Sequence, residues 1–170
     1  MIPTRPLPAF AIAIAAILLA QSNQSVGASA TETSPDQVKG KTYRLERVYL
    51  VSVHVPSGSV DNVLQSLSAA VGLQYGKYDQ VAYIDAEGIE QYRPLAGSKA
   101  GAQETVTTTP SKVVTVSLIH NRAVLQRAVD AINRAHPYEE PMIYIVEGWR
   151  SRATSADEKN PNRWWNQQPK

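Results

Sequence analysis

The chain is 170 residues long, contains no cysteine and sets 17 basic residues against 15 acidic ones, for a formal charge of +2. Without cysteine there is neither a disulfide framework nor a thiolate metal site. A nearly neutral balance with no concentrated basic field excludes a general nucleic-acid binder.

Arg5 is the only charge before Glu32, and Leu7 to Ala20 is an apolar run. That run is shorter than the about 20 residues a membrane helix needs. Ala28-Ser29-Ala30 then supplies the small-x-small pattern of a signal peptidase site. Residues 1–30 are therefore expected to be a cleaved secretory signal, which leaves no stable membrane insertion and a secreted or periplasmic protein. An uncleaved N-terminal anchor is the second reading. A mitochondrial presequence would be Arg-rich and amphipathic, and this segment is neither. Residues 31–42 read as a linker.

Tyr43 to Val55 has the period of a strand, with Tyr49, Val51, Val53 and Val55 alternating with Leu50, Ser52 and His54. Pro56-Ser57-Gly58 is a turn, and Ser59 is placed to cap a helix. Val60, Val63, Leu64, Leu67 and Val71 form its apolar stripe. Gly72 and Gly76 end the element. Gln80 to Asp85 reads as a short strand and Glu90 to Leu95 as a second extended piece, followed by a long Gly/Thr/Ser-rich loop from Ala96 to Ser111.

Lys112 to His120 alternates again, with Val114, Val116 and Leu118 on one side. Asn121 is a helix cap, and Val124, Leu125, Ala128, Val129 and Ile132 form the next stripe. Met142 to Val146 is the last expected strand. This order, βαββαβ, is that of an α+β ferredoxin-like sandwich, an antiparallel sheet with two helices on one face. One domain over residues 43–149 accounts for it. Arg150 to Lys170 loses apolar periodicity and reads as a flexible polar tail carrying Trp164-Trp165. In the up-down order of such a sandwich, His54 and His136 fall at one end of the sheet and His120 at the other.

Between the last helix and the last strand stands His136-Pro137-Tyr138-Glu139-Glu140-Pro141. Each proline fixes its own φ and pushes the residue before it out of the helical region, so these polar side chains sit on a stiffened turn. Such a turn is where function tends to reside. The plain alternative is that His136 serves the helix C-terminus, where positive charge is favourable, with the carboxylates solvated.

The hexapeptide resembles the signature of the CutA-like (PII-like) domain, which occurs free-standing and as an insert in the dinuclear-metal proteins of the GTP cyclohydrolase 1 type 2-like family. Gly76-Lys77-Tyr78-Asp79, Tyr92-Arg93-Pro94-Leu95-Ala96-Gly97 and the strand-then-helix run from Val113 to Ala135 match in the expected order. The resemblance covers Tyr43 to Glu147. It implies a ferredoxin-like fold that assembles as a homotrimer by hiding the sheet face its helices leave uncovered; Tyr49, Val51 and Val116 are the residues expected there. The paired metal ions of the family's enzymes lie in flanking domains that the match does not reach, so a cyclohydrolase or phosphoesterase activity does not carry over.

Two ligand classes follow for a non-catalytic module. A divalent metal ion, zinc or copper, would be held by His136, Glu139 and Glu140, with His54 completing the set. A small anionic ligand in a cleft between subunits would instead use Arg93, Tyr92, Lys77 and Tyr138, with Arg93 as the fixed-charge fork. The plain reading of Arg93 is an ion pair with Glu139 or Glu140. No serine sits in a nucleophile elbow, and Gly97 to Gly101 lacks the spacing of a phosphate-binding loop.

Overall fold

The computed structural model describes residues 34–154 and 160–167. The expected signal, residues 1–30, lies outside the described residues. Five strands and two helices follow in chain order: β1 (Tyr43–Pro56), α1 (Val60–Val71), β2 (Tyr83–Ile84), β3 (Gly88–Tyr92), β4 (Thr107–Ile119), α2 (Arg122–Ala135) and β5 (Ile143–Ala153). All pairings are antiparallel. β4 and β5 flank β1, and both β2 and β3 lie along the outer edge of β4.

β2 pairs Ile84 with Val114, and β3 pairs Gly88 with Ser111. The two pieces therefore act as one interrupted strand running in a single direction. The up-down parity of a ferredoxin-like βαββαβ sandwich is kept despite the extra element.

The core follows from strand alternation meeting the helical stripes. Tyr49, Val51, Val53 and Val55 from β1 join Val114, Val116 and Leu118 from β4, against Val60, Val63 and Leu67 of α1 and Ala128 and Ile132 of α2. Burying such side chains stabilises the fold by about 25 cal/mol per Å². Asn121 caps α2 as expected, its side-chain oxygen accepting from the backbone N–H of Ala123 at 2.9 Å and of Val124 at 3.2 Å. Ser59 makes no such bond; a 3-10 turn over Ser57–Ser59 leads into α1 instead. Gly72 closes α1 in the left-handed region at φ 78°, a conformation glycine adopts at little cost.

Three expectations are corrected. Tyr49, Val51 and Val116 do not face a partner subunit; they lie in the core beneath the helices. The uncovered face carries the alternate residues, among them Leu50, Tyr83, Ile119, Tyr144 and Val146, all exposed. Both sets are apolar, so alternation separates the two faces without saying which one the helices take.

The last strand does not stop at Val146. It runs on to Ala153, so residues 150–153 of the expected flexible tail pair with residues 43–46 of β1. Arg150 adds polar contacts to this extension: its Nε donates to Glu46 Oε1 at 2.8 Å, and its Nη1 donates to the Ser117 carbonyl at 2.8 Å. The Tyr75 ring lies 5.2 Å from the Arg150 guanidinium carbon and 4.9 Å from that of Arg152.

Finally, residues 107–111 of the expected long loop belong to β4 and pair with β3. Pro110 is tolerated there because β1 ends at Pro56, opposite Ser111, and leaves that side of β4 without a ladder to supply.

Candidate functional site

Helix α2 stops at Ala135 because Pro137 follows His136 by one residue. His136 takes an extended conformation at φ −76° and ψ 138°, while its backbone N–H still donates to the Ile132 carbonyl at 2.8 Å. The turn therefore leaves the helix end at a sharp angle and crosses the end of the sheet towards β5. As the topology predicts, it meets the end of β1 there. His136 Nε2 lies 2.8 Å from the His54 carbonyl oxygen.

His120 lies at the other end, stacked on Tyr49 at 4.5 Å between ring centroids and 3.3 Å from Glu147. No site gathers the three histidines.

His136 is only 7 % exposed. Its Nδ1 accepts from the Tyr138 backbone N–H at 3.1 Å, so Nδ1 is the bare nitrogen and Nε2–H donates to His54. Both nitrogens are occupied. Glu139 accepts from the Lys99 backbone N–H at 2.7 Å. The expected set of His136, Glu139, Glu140 and His54 is thus not assembled around one point. Among the described residues, no group of three or more His, Asp or Glu side chains could hold a metal ion.

In place of a metal centre there is a cleft of about 870 Å³ between β3, the loop of residues 93–106 and the turn of residues 137–142. His54, Tyr92, Tyr138, Glu139 and Glu140 line it, as does Lys99. Its polar centre is Glu90, a residue the sequence reading passed over. One carboxylate oxygen lies 3.5 Å from His54 Nδ1, and the other accepts from the Tyr138 hydroxyl at 3.4 Å. Tyr138 packs edge-on against Tyr92 at 5.8 Å and against His136 at 5.0 Å.

Burial raises the Tyr138 phenol above its usual range, more than a hydrogen bond with Thr109 lowers it, and the Glu90 charge adds to the rise. A signal for Glu90 did exist. It stands two residues from Tyr92 in an extended segment, hence on the same face.

The residues expected to take an anion lie elsewhere. Arg93 is exposed, does not line the cleft, and forms no ion pair with Glu139 or Glu140 among the described residues. Lys77 is also exposed, two residues from Tyr75, whose ring lies against Arg150 and Arg152 at the far end of the sheet. Only Tyr92 and Tyr138 of that set are in the cleft.

No family model matches the chain. Among curated proteins it is similar to the GTP cyclohydrolase 1 type 2 homolog of Bacillus subtilis, 30% identical over 122 residues, which is 71% of this chain and 32% of that protein. The chain thus spans about a third of the length of the curated relative it matches. Among solved structures, the Bacillus cereus protein related to NIF3 superposes with a TM-score of 0.51 at 20% identity, over 61% of this chain and 26% of that one. The divalent ion tolerance protein CutA1 from Ehrlichia chaffeensis gives a TM-score of 0.45 at 15% identity, over 67% and 88%. At 20% identity the Bacillus cereus structure speaks for the fold alone.

Proposed function

We propose that this chain, which carries a CutA-like domain related to the GTP cyclohydrolase 1 type 2 homologues, works without catalysis as an exported homotrimeric binding module. Its ligand site is the cleft at the His-Pro-Tyr-Glu-Glu-Pro end. The observation that carries this reading is convergence: β1, β3 and the 137–142 turn put Glu90 at 3.5 Å from His54 and 3.4 Å from the Tyr138 hydroxyl, in the lining of a cleft of about 870 Å³. A few polar groups converging in one concave, partly apolar site are what a small-ligand site requires.

Assembly is supported by the uncovered sheet face, where Leu50, Tyr144 and Val146 leave apolar surface in water. Export rests on the composition of residues 1–30 alone. For a divalent metal, the His54 nitrogen and the Glu90 carboxylate are the two donors that suit zinc or copper. Two protein ligands would leave water in the remaining positions.

Nuclear magnetic resonance of the full-length protein tests the site. Zinc, copper and a panel of small charged organic molecules are titrated while the resonances of His54, Glu90, Tyr92 and Tyr138 are followed. Saturable shifts confined to these residues support the cleft, and a panel that leaves them all unmoved rejects it.

A further inference from the structure

Resting on the reading that the cleft is the binding site, we infer that its ligand is a small organic cation, an alkylammonium or quaternary ammonium group seated against Glu90 and the rings of Tyr92 and Tyr138.

Charge is the first ground. The cleft is lined by the three carboxylates of Glu90, Glu139 and Glu140 against the single ammonium of Lys99. Glu139 already accepts the Lys99 backbone N–H. Glu90 differs: its side chain is only 16 % exposed. No lysine or arginine lies within ion-pair distance of it among the described residues. Its two contacts, at 3.5 Å to His54 Nδ1 and 3.4 Å from the Tyr138 hydroxyl, are long for a carboxylate that gives up most of its water. A largely buried carboxylate without a cation is costly; His54, at 3.5 Å, pairs with it only when protonated, and a cation entering the cleft that Glu90 lines would supply a permanent partner.

The walls are the second ground. Tyr92 and Tyr138 both line the cleft and meet edge-on at 5.8 Å, so their rings lie in different planes. Aromatic faces attract a cation whose charge is spread over alkyl groups, most strongly where water is excluded. Met142 and Ile89 extend the apolar lining. A divalent metal would find only two protein donors there, His54 and Glu90, among the described residues. An anion would meet three carboxylates.

Calorimetric titration of the full-length protein with tetramethylammonium and butylammonium, beside zinc and butyrate, tests the inference. Both ammonium ions should bind saturably and butyrate should not. Glu90→Gln, nearly isosteric, should weaken both by about tenfold or more, the scale of one lost charge contact. Tyr92→Leu, at an exposed position, should weaken tetramethylammonium several-fold and keep the fold. Arg93→Ala, outside the cleft, should change neither.

Ammonium affinity unaltered by both Glu90→Gln and Tyr92→Leu overturns the inference. So does saturable zinc or butyrate binding with no ammonium binding, although the cleft then survives as a site. A protein that binds none of the four overturns both readings.

Discussion

His136 and His54 are joined by one bond at the end of the sheet: the ring Nε2–H of His136 donates to the His54 carbonyl at 2.8 Å. The other ring nitrogen takes the Tyr138 N–H at 3.1 Å, so a single neutral imidazole ties the end of β1 to the turn that carries Tyr138 into the cleft. A residue with the look of a metal ligand is a brace in this arrangement.

His136→Ala should therefore act on stability. It leaves the His54 carbonyl and the Tyr138 N–H without their partner, at about 1–3 kcal/mol for each group that stays buried and unpaired. A total loss of ~2–4 kcal/mol is expected in urea denaturation. A loss below ~0.5 kcal/mol, the range of a neutral surface change, would mean that the turn holds without the imidazole.

Alkaline pH should loosen the same region. The Tyr138 phenol is raised in the folded protein by burial first, against the opposing Thr109 hydrogen bond, with the Glu90 charge adding to the rise. The unfolded chain thus releases this proton at a lower pH than the folded one. Its contribution is fully present below the ordinary tyrosine range near ~10 and is lost as pH rises through the folded value. Phenolate absorbance of wild type minus Tyr138→Phe should show one tyrosine titrating late. A Tyr138 signal that titrates with the exposed tyrosines would contradict this.

The uncovered sheet face gives the assembly prediction. Val146→Asp puts a charge in the middle of the apolar patch formed with Leu50 and Tyr144, on a residue that is exposed in the single chain. Light scattering of wild type should give three times the chain mass, and the variant should fall to the monomer with its circular dichroism unchanged. A wild-type monomer at micromolar concentration would end the trimer proposal.

Arg93→Ala should be close to silent for stability. Its side chain is exposed and pairs with neither Glu139 nor Glu140, so the change should stay within ~0.5 kcal/mol in thermal or urea melts. A loss of several kcal/mol would reveal a buried pair.

Arg150 should behave in the opposite way. It is 13 % exposed, paired with Glu46 and bonded to the Ser117 carbonyl, so Arg150→Ala leaves Glu46 with only its longer 3.5 Å pair to Arg152 and takes the guanidinium from the Ser117 carbonyl. A loss of about 1–3 kcal/mol is expected, with hydrogen exchange rising first at residues 43–46 and 150–153. Unchanged exchange there would show that strand pairing alone holds the extension.

What the sequence by itself determined is what local physics writes into neighbouring residues. Alternation marks β1 and β4, the 3.6-residue stripes mark α1 and α2, Asn121 caps its helix, and Pro137 stops α2 at Ala135. The βαββαβ order followed, and with it the meeting of His54 with His136 and the distance of His120. The hexapeptide lies at the end of the sheet where the cleft opens.

Tertiary structure alone decided the rest. Which face of an apolar-on-both-sides strand the helices cover depends on where the helices land, so Tyr49, Val51 and Val116 went inward and Leu50 and Val146 outward. Residues 150–153 become strand by pairing with residues 43–46, alongside an ion pair between Glu46 and Arg150, partners 104 residues apart that no local pattern links. The cleft was hidden for the same reason. His54, Glu90 and Tyr138 are ordinary residues on three separate segments, and their chemistry exists only because antiparallel pairing and one neutral histidine bring those segments to one point.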